Sequence, residues 1–405
     1  MTARSTTDRA TAAALRRIAI YNAGREPERL ARKYAAMRAD AFTFFRATAH
    51  LCWDDLRAAQ VKRLDVAPIA WSCGDLHLEN FGTYRGDNGL AYFDLNDFDE
   101  AAIAPASWEL VRLLTSVHLA AERLGLPAAM ATTLAGECLD AYRAAIADGR
   151  ARWVERATAT GMIGDLLRRV RRGRAALLDE RTEAHGRRRR LRLDDARALP
   201  IADVDREAVT RGVEAFGVAQ DAPDFYRVLD VARRVSGTGS LGVERFVVLV
   251  RGDGARDGAR LLDIKSAQRS TLARRVAVTQ PRWPDDAARV VGVQRMMQAV
   301  SPALLHVVRV GGRGYVLREL QPSADRLALA DAHGRVKRLR RVLRTMGRLA
   351  AWAQLRSSGR RGSATTDALQ QFAAGNAWAP VLLEYAESYA GTVERTWHAF
   401  AASPK

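Results

Sequence analysis

Between Gly74 and Glu100 the chain crowds acidic and amide side chains among apolar residues. Gly74-Asp75-Leu76-His77-Leu78-Glu79-Asn80 is followed closely by Phe93-Asp94-Leu95-Asn96-Asp97-Phe98-Asp99-Glu100. No other feature limits the fold as strongly, because carboxylates gathered by short apolar segments repel one another unless a cation lies between them. Ala91 to Leu95 reads as a short strand, and Asp97 and Asp99, two residues apart, share a face if that strand continues. Asp75 and Asn80 are five residues apart, the spacing by which one loop offers a carboxylate to a substrate hydroxyl and an amide oxygen to a metal ion. Asp97 is the second expected metal ligand, with Asp94 and Asp99 in reserve. Magnesium suits such a set, since it takes oxygen ligands and keeps waters that phosphate oxygens can replace. Asp is equally common in turns and helix caps, which is the structural alternative for these aspartates.

A second region complements the first. Val235-Ser236-Gly237-Thr238-Gly239-Ser240-Leu241-Gly242 is followed by apolar Val243 to Val250 and then by Leu261-Leu262-Asp263-Ile264-Lys265. Gly237, Gly239 and Gly242 let backbone amides approach phosphates without Cβ clashes, and Ser240 adds a hydroxyl donor. The stretch after Gly242 alternates like a strand, so the segment departs from a dinucleotide-binding turn, which opens a helix. It fits a loop folded over nucleotide phosphates, with Lys265 steadying them; a glycine-rich hairpin with a surface lysine is the alternative. Asp285 to Val300 has helical periodicity but holds no glutamate for Lys265, which leaves Gln294, Gln298 or a carboxylate elsewhere as its expected partner. Leu304 to Val310 and Tyr315 to Leu320 read as a hairpin, and Arg318-Glu319-Leu320-Gln321-Pro322 as a segment whose backbone could grip an adenine ring.

Composition narrows the class. At 405 residues the chain can bury several cores, and Cys52, Cys73 and Cys138 have no metal-ligand spacing. The net charge of +18 comes almost wholly from arginine. Its densest block, Arg168 to Arg174 with Arg187 to Arg190, has no interleaved aromatics, so it reads as a solvated face and argues against nucleic acid as a partner. Thr2 to Arg17 lacks the apolar core of a secretory signal, and no segment has about 18 uninterrupted apolar residues. A cytoplasmic protein without membrane partners is expected.

These motifs carry a resemblance. GDLHLEN resembles the catalytic loop of aminoglycoside phosphotransferases and similar kinase-like enzymes, and the interval from Asp97 to Glu109 resembles theirs from metal-binding aspartate to a helix-starting acidic residue. The whole chain, over roughly residues 25 to 400, resembles the bacterial domain of unknown function 2252 family, through Phe42 to Ala47, GDLHLENFG, FDLNDFDE, the Ser-Leu-Gly turn, Gly292 to Gln298 and Tyr385 to Ala390. The resemblance implies an α+β, two-lobed kinase-like fold. Two departures stand out: Cys73 occupies the usual histidine position two before the catalytic aspartate, and the glycine-rich turn and lysine come after the catalytic loop by more than 150 residues instead of preceding it. Circular permutation is therefore expected. Residues 1–60 form a helical part of the large lobe, 61–150 its catalytic and metal-binding part, 151–225 an Arg-rich helical segment, 226–325 the β-rich nucleotide-binding small lobe, and 326–405 the C-terminal helices.

The expected function is transfer of phosphate from ATP, with magnesium, to an unidentified small-molecule or protein hydroxyl. Asp75 orients and deprotonates the acceptor, Asn80 and Asp97 hold the metal, and Gly237, Gly239, Ser240, Gly242 and Lys265 bind the nucleotide. AMP transfer on the same fold, a nucleotide-binding pseudokinase and a metallophosphoesterase using Asp75 and His77 remain the alternatives.

Overall fold

Val, Leu and Phe fill Arg245–Val250 without alternation, the composition of a strand buried on both faces, and it lies inside a six-stranded sheet. The computed structural model describes residues 2–59, 61–170, 173–185, 188–194, 197–235, 243–253, 258–321 and 326–403. Strand order across the sheet is His306–Val310, Arg313–Glu319, Arg260–Ser266, Arg245–Val250, Val228–Arg234 and Ala198–Leu199, every neighbour antiparallel. The expected hairpin is the first pair. Its turn places Gly311 and Gly312 at φ 56° and 78°, which the two central positions of a tight hairpin turn require.

Each face of the sheet has its own covering. Phe246, Val248, Leu262, Ile264, Val308 and Leu317 pack with Val209 and Val213 of the helix Asp203–Val218. On the opposite face Val247, Leu249 and Leu261 pack with Leu177, Leu178 and Leu320. Side chains alternate along a strand, so Asp263 and Lys265 share this second face with Leu261. It turns polar along its length. Asp263, 1% exposed, accepts from Arg245 Nε at 2.6 Å and from Arg318 Nε at 3.1 Å, and Arg234 Nη1 lies 2.6 Å away. Burial opposes its charge, but the three guanidiniums hold its carboxyl well below the usual range. The stretch 151–225, expected to be helical, also contains the hairpin Thr182–His185 and Arg188–Leu191.

The rest is mainly helical and shares one large core. Val336–Ser357 packs along Ala128–Asp148, and they approach closely at Gly347, where a Cβ would overlap the Cys138 carbonyl. Ala106–Leu119 lies beneath both Ala128–Asp148 and Trp378–Ala402, and every residue in it except His118 is buried. A helix buried all round sits at the centre of a core, and two of its buried residues, Glu109 and Arg112, are charged. Cys52, Cys73 and Cys138 are free and buried. No helix among the described residues is long and apolar enough to cross a membrane. The chain is thus a mixed α+β protein, 52% helical and 17% strand, in which helices form the body and strands form one curled sheet with small pairs around it.

Asp263 should therefore be a stability determinant. Asp263→Asn leaves three arginines facing a neutral partner and is expected to cost about 3–5 kcal/mol at pH 7, measurable by urea unfolding. The folded-state pKa is depressed, so the stabilisation is present above the unfolded carboxyl pKa of about 3.9 and lost as pH falls toward the folded value. The difference between the two proteins should shrink in acid.

Candidate functional site

The two acidic motifs are brought together by two small strand pairs. Ile69–Ser72 pairs with Ala102–Pro105, and Phe81–Arg85 pairs with Ala91–Leu95 in the register Phe81↔Leu95. The strand ends at Leu95, so Asp97 and Asp99 do not share a strand face. Instead the Asn96 amide donates to the Asn80 carbonyl at 2.9 Å, which sets Asp97 beside the end of the first motif. Asp97 Oδ1 accepts from the Asp99 amide at 3.3 Å, a local turn.

Gly74 locks the motifs more tightly. Its φ of +83° lies in the left-handed region, and a Cβ there would overlap the carbonyl of Glu100. Glu100 is anchored in turn: its carboxylate accepts from Thr271 Oγ1 at 2.7 Å, and its carbonyl accepts from Ser270 Oγ at 2.8 Å.

The central helix holds the loop from below. Glu109 Oε1 accepts from the Cys73 amide at 2.6 Å. Arg112 Nε donates to Asp75 Oδ1, Arg112 Nη2 donates to the Phe45 carbonyl at 3.0 Å, and the guanidinium lies 4.0 Å from the centre of the Phe45 ring. The Asp75 side chain remains 20% exposed. Burial pushes its pKa up, the Arg112 charge pulls it down, and Asp97 and Glu100 add repulsion; the outcome is about 7. Asn80 Nδ2 donates to the Asp75 carbonyl, which turns its amide inward against the loop. His77 is buried, and its Nδ1 accepts from the Glu79 amide at 3.1 Å, a role within the loop.

Lys265 reaches this cluster from the sheet. Its Nζ donates to Asp99 Oδ2 across 166 residues of sequence. Burial would raise the Asp99 pKa, but the charge and hydrogen bond of Lys265, with Arg318 and Arg245 behind it, lower it. Neither candidate glutamine meets Lys265. Gln298 Nε2 donates to the Leu95 carbonyl at 2.6 Å and Gln294 Nε2 to Gln298 Oε1 at 3.1 Å. The helix Asp286–Met297 contributes Arg289, which donates to the Asp99 carbonyl at 2.9 Å and the Ala101 carbonyl at 2.7 Å.

Asp75, Asn80, Asp97, Asp99 and Lys265 thus converge. Asp94 does not: it is buried against Arg356 Nη2 at 2.9 Å and the Leu95 amide at 2.9 Å, a structural environment. Gly237, Gly239, Ser240 and Gly242 lie outside the described residues. The described strands on either side of them end at Arg234 and begin at Arg245, which pairs with Lys265. Arg112, Arg289 and Thr271 escaped the sequence reading. Arg112 alone had a visible signal, as the one cation within the apolar run Leu110 to Leu114.

A model of an uncharacterised protein family conserved in bacteria, DUF2252, matches residues 25–403. The chain belongs to the DUF2252 family. No curated protein and no solved structure matches it.

The contact between Gly74 and Glu100 is directly testable in this DUF2252 protein. Gly74→Ala must move either the loop or Glu100 and adopt a disfavoured φ, so it should destabilise by roughly 1–3 kcal/mol in thermal unfolding. Gly312→Ala, where a Cβ meets nothing within 4 Å, bears only the cost of its φ and should lose less.

Proposed function

We propose that the protein is an ATP- and magnesium-dependent phosphotransferase acting on a hydroxyl acceptor, built on a two-lobed kinase-like fold with permuted element order. One observation carries the reading: Lys265 on the sheet pairs with Asp99 in the loop where Asp75, Asn80 and Asp97 meet. A cation for phosphates, a base near neutral pKa and oxygen donors for a metal are the groups that phosphoryl transfer uses.

Asp75 serves as the base. Its Oδ1 is held by Arg112, which fixes the carboxylate and leaves the other oxygen for an acceptor hydroxyl. The acceptor oxygen attacks the γ-phosphorus, the bond from that phosphorus to the β–γ bridging oxygen breaks, ADP departs, and the hydroxyl proton passes to Asp75. Lys265, with Arg245 and Arg318 behind it, meets the phosphates, and Gly237 to Gly242 covers them. Asn80 and Asp97 would hold magnesium, which when bound neutralises phosphate charge. The donor set fits this ion: the charges of Asp97 and Glu100 bear on Asp75 in a partly buried site, and a cation relieves that. Among the described residues no three His, Cys, Asp or Glu side chains are grouped as a ready-made metal cage.

A specific observation favours a second reading, a regulatory binding protein without turnover. The apolar part of the sheet face beside Leu320, where a purine would stack in the first reading, is filled by Leu177 and Leu178. The cavity left there, about 50 Å³, is far below the ~300–1,000 Å³ of small-molecule sites. Transfer of AMP instead of phosphate would use the same polar groups with the nucleotide reversed.

Calorimetry with ATP, with and without magnesium, separates these readings. Magnesium-dependent binding weakened at least about tenfold (1.4 kcal/mol) by both Asp97→Ala and Lys265→Ala is expected, and no binding to the wild type would sink the proposal. Asp75→Asn should keep nucleotide affinity and lose turnover by at least roughly 10²–10⁴-fold, with product analysis distinguishing phosphorylated from adenylylated acceptor. Base catalysis requires ionised Asp75, so kcat/KM should rise with pH to a plateau, half-maximal near the carboxyl's pKa of about 7. A flat profile between pH 5 and 8 would remove Asp75 from the base role.

A further inference from the structure

A second open pocket, about 750 Å³, lies between the N-terminal helix and the segment after Lys265. Its size falls within the ~300–1,000 Å³ of small-molecule sites. Its lining is basic: Arg17, Arg25, Arg269, Arg274 and Arg275 face Glu26 and Asp54. Asp54 is taken up by arginines of the pocket itself, Arg17 also donates to Asp55 at 2.7 Å, and Glu26 is taken up by arginines outside the pocket. Asp54 pairs with Arg275 and lies 3.7 Å from Arg17, while Glu26 pairs with Arg29 at 2.8 Å and Arg233 at 3.4 Å. Arg25 lies over the Tyr21 ring at 5.3 Å. Arg269 and Arg274 are exposed and form no ion pair among the described residues. The wall also holds His50, 3% exposed, whose ring stacks on Tyr21 at 3.9 Å and whose two nitrogens find no hydrogen-bond partner among the described residues.

The pocket adjoins the loop that carries Asp75. Thr271 lines it and binds the Glu100 carboxylate, and the Glu100 carbonyl is packed on Gly74, next to Asp75. Burial above all, with the charges of Glu100 and Asp75 and against that of Arg25, pushes the pKa of the Tyr21 hydroxyl up to about 12. Val243, on the rim, comes directly after the glycine-rich turn. The pocket wall therefore reaches the loop of the proposed base through Thr271 and Glu100.

We infer that this pocket binds the acceptor, and that the acceptor is a small hydroxylated molecule carrying a phosphate group. Guanidiniums recognise phosphate bidentately, and Arg269 and Arg274, which form no ion pair among the described residues, suit an anion of more than one charge. The inference rests on the phosphotransferase reading for the word acceptor; the anion site itself stands apart from it. In the reaction, the hydroxyl oxygen of the held molecule bonds to the γ-phosphorus of ATP, the bond from that phosphorus to the β–γ bridging oxygen breaks, ADP leaves, and the hydroxyl proton passes to Asp75.

The test uses the full chain with glycerol 3-phosphate as probe, and glycerol and glycerate as neutral and carboxylate controls. Calorimetry is run on the wild type and on Arg269→Gln/Arg274→Gln, whose exposed positions should leave thermal unfolding unchanged. Expected is binding of glycerol 3-phosphate at least tenfold tighter than either control, retained when ATP and magnesium are saturating, and weakened at least tenfold in the double variant with ATP affinity unchanged. Equal binding of all three probes, no binding, or displacement by ATP would overturn the inference, the last by making the pocket part of the nucleotide site. If glycerate matches glycerol 3-phosphate, the phosphate assignment falls. If the wild type binds glycerol 3-phosphate in this way but no ATP, the phosphotransferase reading fails while the anion site holds.

Discussion

The site depends on two charges buried in one helix. Ala106–Leu119 lies at the centre of the helical body, and an ionised group there is costly unless it is paired. Glu109 and Arg112 are paired with the loop above them, Glu109 through the Cys73 amide and Arg112 through Asp75. The helix thus fixes where the loop sits and which way its aspartate faces. It also sets the chemistry, because the burial that orients Asp75 raises its pKa, and Arg112 keeps that rise in check.

Besides the packing of Val316 into the large core and the Arg233–Glu26 pair, the sheet and the segments beside it meet this body through polar links gathered in one place. Lys265 takes the Asp99 side chain, Arg289 takes the Asp99 and Ala101 carbonyls, and Thr271 takes the Glu100 side chain. All converge on the acidic motif. Strands from late in the chain are thereby set against a loop from early in it, and any permuted arrangement of the two parts depends on these links. The cations around Asp263 continue the same positive field along the sheet face.

Much of this was legible in local pattern. Ala91–Leu95, Val336–Ser357 and the hairpin ending at Glu319 obey apolar periodicity and turn glycines, and a short-range signal suffices to find them. The aspartates and the lysine stood out by type and spacing. Their partners did not, because pairing across 166 residues leaves no trace in a window of neighbours. The expectation that Asp97 and Asp99 share a strand face failed where the strand ended: Asp97 bonds to the backbone of Asp99 and breaks the alternation. Asp94 looked like its neighbours in sequence, yet lies one residue inside the strand, where its side chain turns toward Arg356. The covering of the sheet by Leu177 and Leu178 was hidden by the arginines around them, which drew attention to charge and away from the two residues that pack.

The three cysteines have a practical consequence. Each is free and buried, and burial pushes the thiols of Cys52 and Cys138 up to about 12 and, with the charge of Glu109, that of Cys73 well above its ordinary value. A thiol held in its neutral form is a poor nucleophile toward oxidants and alkylating reagents. The folded chain therefore offers a quiet background for a cysteine placed on its surface. One such residue on the sheet and another on the helical body would carry a pair of spectroscopic labels without removal of any native thiol, so the separation of the two parts can be tracked in solution.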